Sequence, residues 1–279
     1  MTVLTEKKEE LMIDFSVLIS IYKNEKSEYF EKCIESIYKQ SMSSKNIVVV
    51  HDGPLTQELY QVLDKWKLLL PITEVILKEN VGLGEALNAG LAHCKYDLVA
   101  RVDTDDINIP TRFEQQYQYM IEHDDVALCG SHIDEFDTDP LVITSHRKVP
   151  LDTDLNNSIF KRNPINHMTV MFRKSAVLDA GGYQHLSFME DYFLWVRMYV
   201  KGYKLVNLDT VLVKARTGNG MLERRKGIDY YRSELTFMNK VLKMDVKNKP
   251  KIMVTFLIRS HIRLLPQSAL KKVYQLVRH

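Results

Sequence analysis

The chain has 279 residues, 45% hydrophobic and 27% charged, with a net charge of +2. That balance is ordinary for a globular protein with a real core and excludes a disordered or collagen-like chain. Three widely spaced cysteines, Cys33, Cys94 and Cys129, form neither a disulfide framework nor a paired metal motif, which fits a reducing compartment.

No apolar run reaches the roughly 20 residues that a membrane-spanning helix needs. The polar stretch Met1–Glu10 is not expected to act as a signal peptide. Charge is unevenly spread: Lys240–His279 holds ten Lys or Arg against one Asp, which leaves the rest of the chain acidic. A basic tail on an acidic body predicts an anionic partner for the tail, either a membrane surface or nucleic acid.

Phe15–Ile21 is a short continuous apolar strand, the kind buried on both faces. A helix is expected over Ser27–Ser41, with Phe30, Cys33, Ile34 and Ile37 on one face. A second strand, Asn46–Val50, runs into His51-Asp52-Gly53-Pro54, a strong turn signal. Then come a helix over Gln57–Leu69, a strand over Thr73–Leu77, and a helix over Gly84–Ala92 entered through Asn80-Val81-Gly82-Leu83. Asp97–Val102 is a fourth strand. This alternation, at roughly 25-residue spacing, is the pattern of a right-handed parallel βαβ sheet.

Beyond Pro110 the pattern changes. Arg112–Glu122 is helical, and strands at Val126–Phe136 and Leu141–Ser145 flank an acidic turn. His167–Arg173 reads as a strand, and Glu190–Lys201 as a helix closed by Gly202. Tyr203–Val213 reads as a strand pair divided at Asp209-Thr210. The composition turns basic near Met221. The expected organisation is an N-terminal extension (1–13), an α/β domain (14–226) and a helical C-terminal region (227–279).

In open α/β sheets, ligands bind beyond the carboxyl ends of the strands. The first strand delivers Ser20, Tyr22 and Glu25 there, the second Asp52, and the third leads into Asn80 and Gly82. The fourth runs through Arg101 into Asp103, Asp105 and Asp106. Carboxylates so crowded repel one another unless a cation joins them, and oxygen-only ligands favour Mg²⁺ or Mn²⁺. The competing reading is a solvated turn with an Asp cap. Asp52 could accept the N3–H of uracil, with Tyr22 against base or ribose, or it could be a plain turn residue. Dinucleotide and P-loop phosphate motifs are missing where they would be needed.

Glu190 and Asp191 stand between aromatics at a helix start. There a general base could be positioned, or the pair could simply favour the helix dipole. His167 is either a structural hydrogen-bonder or a ligand. Arg216, Arg224 and Arg225 flank Gly218-Asn219-Gly220. This glycine-hinged basic loop could close over a diphosphate or remain an ordinary solvated surface.

In combination these segments resemble the family 2 glycosyltransferases, inverting enzymes of GT-A fold. The matching pieces are residues 16–25 (SVLISIYKNE), Asp52, Asn80 to Asn88, 100–107 (ARVDTDDI), 163–167 (NPINH), 181–183 (GGY) and 190–192 (EDY). The resemblance covers about residues 14–226 and is nearest to bacterial enzymes that assemble O-antigen or exopolysaccharide repeat units. The resemblance implies an α/β GT-A (nucleotide-diphospho-sugar transferase) fold with a mixed, mostly parallel central sheet and flanking helices. It also implies a UDP-sugar donor of galactose or glucose type and a sugar acceptor on polyprenyl diphosphate. Asp52 would bind uracil, framed by Ser20 and Tyr22, with Glu25, Asn80, Gly82 and Arg101 completing the nucleotide-sugar site. Asp103 would lie near ribose and metal and Asp105 on the metal, Mn²⁺ or Mg²⁺. Asp191 would be the catalytic base with Glu190 beside it, and His167, Arg216, Arg224 and Arg225 would meet diphosphate or acceptor. One departure stands out: several relatives carry a metal-binding His after the base, whereas no His occurs here between Asp191 and His261.

Lys251–Leu265 and Ser268–His279 read as basic amphipathic helices suited to an anionic bilayer, with Arg259 and Arg263 among the basic residues of the first. The alternative is that they pack on the catalytic domain with a solvated basic face. A lipid-borne acceptor fits a protein on the inner, cytoplasmic face of the plasma membrane. The rival functional class is a non-catalytic nucleotide-sugar-binding module recruited to that membrane. A pyrophosphorylase would need a glycine- and arginine-rich loop where Tyr22-Lys-Asn-Glu stands. No nucleic-acid partner is expected, because the body is acidic and the tail lacks an aromatic platform.

Overall fold

Val17, Ile19 and Ile21 face one side of the first strand and Leu18 the other, and all four are fully buried. A strand that is apolar on both faces must sit inside a sheet covered by helices on both sides. In the computed structural model, which describes residues 15–217 and 227–264, it does. This strand, β1 (Phe15–Ile21), pairs in parallel with β2 (Asn46–His51) and β4 (Leu98–Val102), and β2 pairs in parallel with β3 (Ile72–Ile76). The crossovers are α1 (Ser27–Tyr38), α2 (Gln57–Trp66) and α3 (Leu83–Leu91).

The second half supplies β5 (Ile107–Asn108), α4 (Arg112–Glu122), β6 (Val126–Phe136), β7 (Ser145–Arg147), α5 (Asp152–Ser158), β8 (Met171–Arg173) and α6 (Lys174–Asp179). After these come α7 (Glu190–Val200), β9 (Lys204–Arg216), α8 (Ile228–Leu242) and α9 (Lys249–Ile262). Among the described residues one nine-stranded sheet has the order β3-β2-β1-β4-β8-β6-β9-β5, with β7 paired to β6. β8 runs antiparallel between β4 and β6, and β6 and β9 are parallel. The sheet is therefore mixed and mostly parallel, as expected.

One face packs on α1, α2 and α4 around Val17, Ile19, Phe30 and Phe113. The other packs on α3 and α7 around Leu18, Leu87 and Trp195, and this core continues into Phe237 of α8 and Phe256 of α9. Edge-on contacts of Phe237 with Tyr192, Phe193 and Phe256, at centroid separations of 4.6 to 5.6 Å, carry it across. No helix among the described residues is long and apolar enough to cross a membrane.

Three expected elements differ. The strand expected at Leu141–Ser145 begins only at Ser145. Asp139 Oδ1 accepts the Leu141 N–H and the Asp139 carbonyl accepts the Val142 N–H, so the acidic turn extends through Val142. The expected strand pair at Tyr203–Val213 is one strand that bulges. Ser131 pairs with Leu208 but His132 with Val211, and His132 Nε2 contacts Asp209 Oδ1 at 3.0 Å. His167–Thr169 is a 3₁₀ turn, and only Met171–Arg173 extends. The helices α5, α6 and α8 have no counterpart among the individual expected elements.

α3 lies close to the sheet because position 90 is glycine. A Cβ there would stand 2.4 Å from Leu18 Cδ1 and 2.6 Å from Val50 Cγ2. Gly90→Ala is expected to destabilise the protein by about 1–3 kcal/mol through overpacking, outweighing a helix-propensity gain of about 1 kcal/mol. Urea unfolding checks this; an unchanged or higher midpoint would contradict the packing account.

Candidate active site

β1 is flanked by β2 on one side and β4 on the other. The chain leaves it in opposite directions, which opens a crevice at the carboxyl ends of these strands. Asp52 stands there, nearly buried, at the end of β2. Its carboxylate accepts hydrogen bonds from Asn80 Nδ2 (2.9 Å), Val81 N (2.7 Å) and Gly82 N (3.2 Å). It thereby folds the 80–82 loop into the start of α3, where Gly82 has φ +90°. A carboxylate offers about four lone-pair positions, so one more N–H donor can be received. Tyr22 is 42% exposed just past β1, Ser20 is half-buried, and Glu25 accepts from the Thr104 hydroxyl.

The end of β4 divides the three aspartates by role. Asp106 is buried and accepts the Arg216 backbone N–H at 2.8 Å, so it ties the end of β9 to this loop. Burial, then Asp103 and Asp105, raise its pKa. Asp103 pairs with Arg101, and its carbonyl accepts from Cys33 Sγ at 3.1 Å. Asp105 is pushed up to about 7 by burial and by the charges of Asp103 and Glu25. The oxygen-only donors Asp103 and Asp105, in a cluster short of positive charge, fit a hard divalent cation. No group of three His, Cys, Asp or Glu converges as a ready metal site among the described residues. Other oxygens, such as those of a nucleotide diphosphate, would have to complete the shell.

Arg101 itself is 2% exposed, so its guanidinium lies under the loop and reaches the crevice through Asp103. Arg216 also lies inward. Its guanidinium stacks 3.8 Å over Tyr29 and 4.5 Å over Phe136 and donates to the carbonyls of Asp105, Asp137 and Thr138. Its Nε and Nη1 thus anchor the acidic loop, while Nη2 has no hydrogen-bond partner among the described residues. Arg224 and Arg225 lie outside the described residues.

Across the crevice, α7 begins with Glu190 and Asp191. Asn163 Nδ2 donates to Asp191 Oδ2 at 2.8 Å. Glu190 rests on Gly84 of α3, where an added Cβ would be 3.4 Å from Glu190 Cγ. Burial first, and Asp191 second, raise the Glu190 pKa. Just before them Phe188 adopts φ +69°, an uncommon conformation for a bulky residue. Tyr183 links the two acidic groups: its hydroxyl shares a 2.9 Å hydrogen bond with His167 Nε2 and feels Arg101, Asp191 and Asp103. Asn88 of α3 grips the Tyr183 backbone at both N–H and carbonyl, each at 2.8 Å. Asn88, Asn163 and Tyr183 fall within the matching sequence segments, but these side-chain partners lie 16 to 95 residues away, so local pattern assigns them no role.

The Glycosyl transferase family 2 sequence model matches residues 16–182. The chain belongs to glycosyltransferase family 2. It is 43% identical over 264 residues to the amylovoran biosynthesis glycosyltransferase AmsE of Erwinia amylovora, covering 94% of this chain and 98% of that one. It is 34% identical over 263 residues to the UDP-Gal:alpha-D-GlcNAc-diphosphoundecaprenol beta-1,3-galactosyltransferase of Escherichia coli, covering 94% and 96%. Among solved structures, S. aureus TarS 1-349 in complex with UDP-GlcNAc superposes with a TM-score of 0.69 at 22% identity, covering 88% of this chain and 72% of that one. The mannosyltransferase PcManGT of Pyrobaculum calidifontis, in complex with GDP-Man and Mn2+, gives 0.64 at 16% identity, covering 94% and 79%. The fold is thus of GT-A type, and the chain is a glycosyltransferase of this family.

His167 packs on Tyr183 and Trp195, and burial together with the Arg101 charge lowers its pKa well below the ordinary value. The unfolded chain then takes up a proton that the folded one refuses. Its contribution to stability is full above about pH 6.5 and is lost as pH falls toward the lowered folded value. Comparing urea midpoints at pH 7.5 and 5.5, the acid loss in His167→Gln is expected to be smaller by up to about 1.4 kcal/mol per pH unit. An identical loss in both proteins would show that His167 is not held neutral.

Proposed function

We propose that the protein moves a galactose- or glucose-type hexose, with inversion, from a UDP-sugar to the sugar of a lipid-diphosphate acceptor during O-antigen or exopolysaccharide assembly. The observation that carries this reading is the placement of two acidic groups on opposite sides of one crevice. Asp103 and Asp105 stand at the end of β4 and Glu190 and Asp191 at the start of α7, with Tyr183 between them. Asp52 keeps one acceptor position for the uracil N3–H, with Tyr22 and Ser20 beside it. The donor and lipid-linked acceptor named for the E. coli relative support the substrate class.

Asp191, oriented by Asn163, takes the proton from the acceptor hydroxyl. The acceptor oxygen then attacks the anomeric carbon from the face opposite the UDP, which inverts that carbon. Burial first, and the neighbouring Asp191 second, raise the Glu190 pKa, so a charge on Glu190 is disfavoured beside the base. A divalent cation held by Asp103 and Asp105 would supply Lewis-acid neutralisation of the departing diphosphate. This reading places the protein as a peripheral enzyme on the cytoplasmic face of the membrane that carries the acceptor.

Asp191→Asn is expected to lower transfer to a GlcNAc-diphosphate-lipid by about 10²- to 10⁴-fold and leave UDP affinity unchanged. Radiolabelled UDP-sugar transfer and calorimetric UDP titration check the two halves. If UDP binding collapses with activity, Asp191 is a structural residue and the assignment of the base fails.

A further inference from the structure

Two basic residues at the carboxyl end of α9, Arg259 and Arg263, do not lie where the amphipathic pattern puts them. Arg259 Nη2 donates to fully buried Glu234 of α8 at 2.9 Å, and its Nη1 to the Tyr192 hydroxyl at 3.2 Å. Arg263 also reaches Glu234, at 3.3 Å, and covers the Tyr230 ring at 4.6 Å. With these cations turned inward, α9 faces outward with apolar side chains. Met253, Val254, Ile258 and Leu264 are 40 to 59% exposed, and Leu257, Ile258, His261 and Ile262 line a shallow groove of about 420 Å³. A second groove of about 470 Å³ at the amino end of α9 holds Lys161, Lys247 and Lys251 against a single carboxylate, Asp245. α9 itself contains no Asp or Glu.

We propose that this outward face of α9, with the lysine groove at its amino end, docks on an anionic lipid bilayer. The surface combines what such a bilayer requires: apolar side chains for the acyl boundary and lysines for the headgroups. A second copy of this chain would find no carboxylate on α9 to meet those lysines. The position deepens the reading of a lipid-linked acceptor, on which it rests. Arg263 at the far end of α9 covers Tyr230, which stacks on Phe188 at 5.2 Å, three residues before Asp191. This chain of contacts ties α9 to the segment that carries the candidate base.

The test uses the full chain and flotation with phosphatidylglycerol-containing vesicles, against pure phosphatidylcholine vesicles, at low and high salt. Wild type is expected to float with the anionic vesicles only, less so at high salt. Val254→Asp/Ile258→Asp and Lys247→Glu/Lys251→Glu are each expected to weaken this by at least about tenfold. Both double variants should keep wild-type UDP affinity, which confirms their fold and separates this result from the glycosyltransferase reading. Three outcomes overturn the proposal: wild type ignores anionic vesicles, both double variants float like wild type, or the apolar variant merely turns a dimer into a monomer. Loss of UDP binding by wild type that still floats would instead remove the enzymatic reading and leave the docking surface standing.

Discussion

Negative charge gathered at the end of β4 is held against its own repulsion by cations buried beneath it, and the rest of the site is arranged around that balance. Arg101 pairs with Asp103 from below. Arg112, fully buried, donates to the Arg101 carbonyl and to the side chains of Asn108 and Gln116 and has no carboxylate within hydrogen-bond reach among the described residues. Burial and the Arg101 charge pull its pKa down to about 9. Arg216 closes the loop from the side, stacked between Tyr29 and Phe136. Even so, Asp105 is pushed up to about 7, first by burial and then by the charges of Asp103 and Glu25, and a divalent cation there would relieve that repulsion.

The opposite wall depends on packing. α7 is buried along most of its length around Trp195, and Gly84 lets its first turn approach α3. The same helix is tied to the C-terminal pair through Tyr192, whose hydroxyl donates to the Ile159 carbonyl and receives Arg259. One chain of contacts thus runs from the crevice, through α7, to the outward face of α9. The candidate base and the proposed docking face thus share one packed frame.

The first half of the fold was legible because parallel strands buried on both faces leave largely apolar runs, and β1, β2 and β4 fall where those runs lie; β3, an edge strand with only Val75 buried, was legible from its place in the strand–helix alternation. The acidic ends of β4 and α7 were legible for the same reason: each interrupts an apolar segment at its boundary. The division of labour within Asp103-Thr104-Asp105-Asp106 was not, since it depends on Arg216, 110 residues away from Asp106. The orientation of α9 was hidden for a related cause. Arg259 and Arg263 look solvent-seeking until buried Glu234, 25 and 29 residues away, supplies their counter-charge. At the bulge in β9, His132 meets Asp209, a contact 77 residues apart that no local pattern announces.

The central claim is that Asp103 and Asp105 form an acidic pair that needs a cation to hold a nucleotide diphosphate. Calorimetric titration of UDP with and without Mn²⁺, on wild type and on Asp105→Asn, tests it most directly. The account requires tight binding by wild type only when Mn²⁺ is present, with that dependence gone in the variant. Equal UDP affinity with and without Mn²⁺ in the wild type, or an unchanged Mn²⁺ dependence in Asp105→Asn, would contradict it.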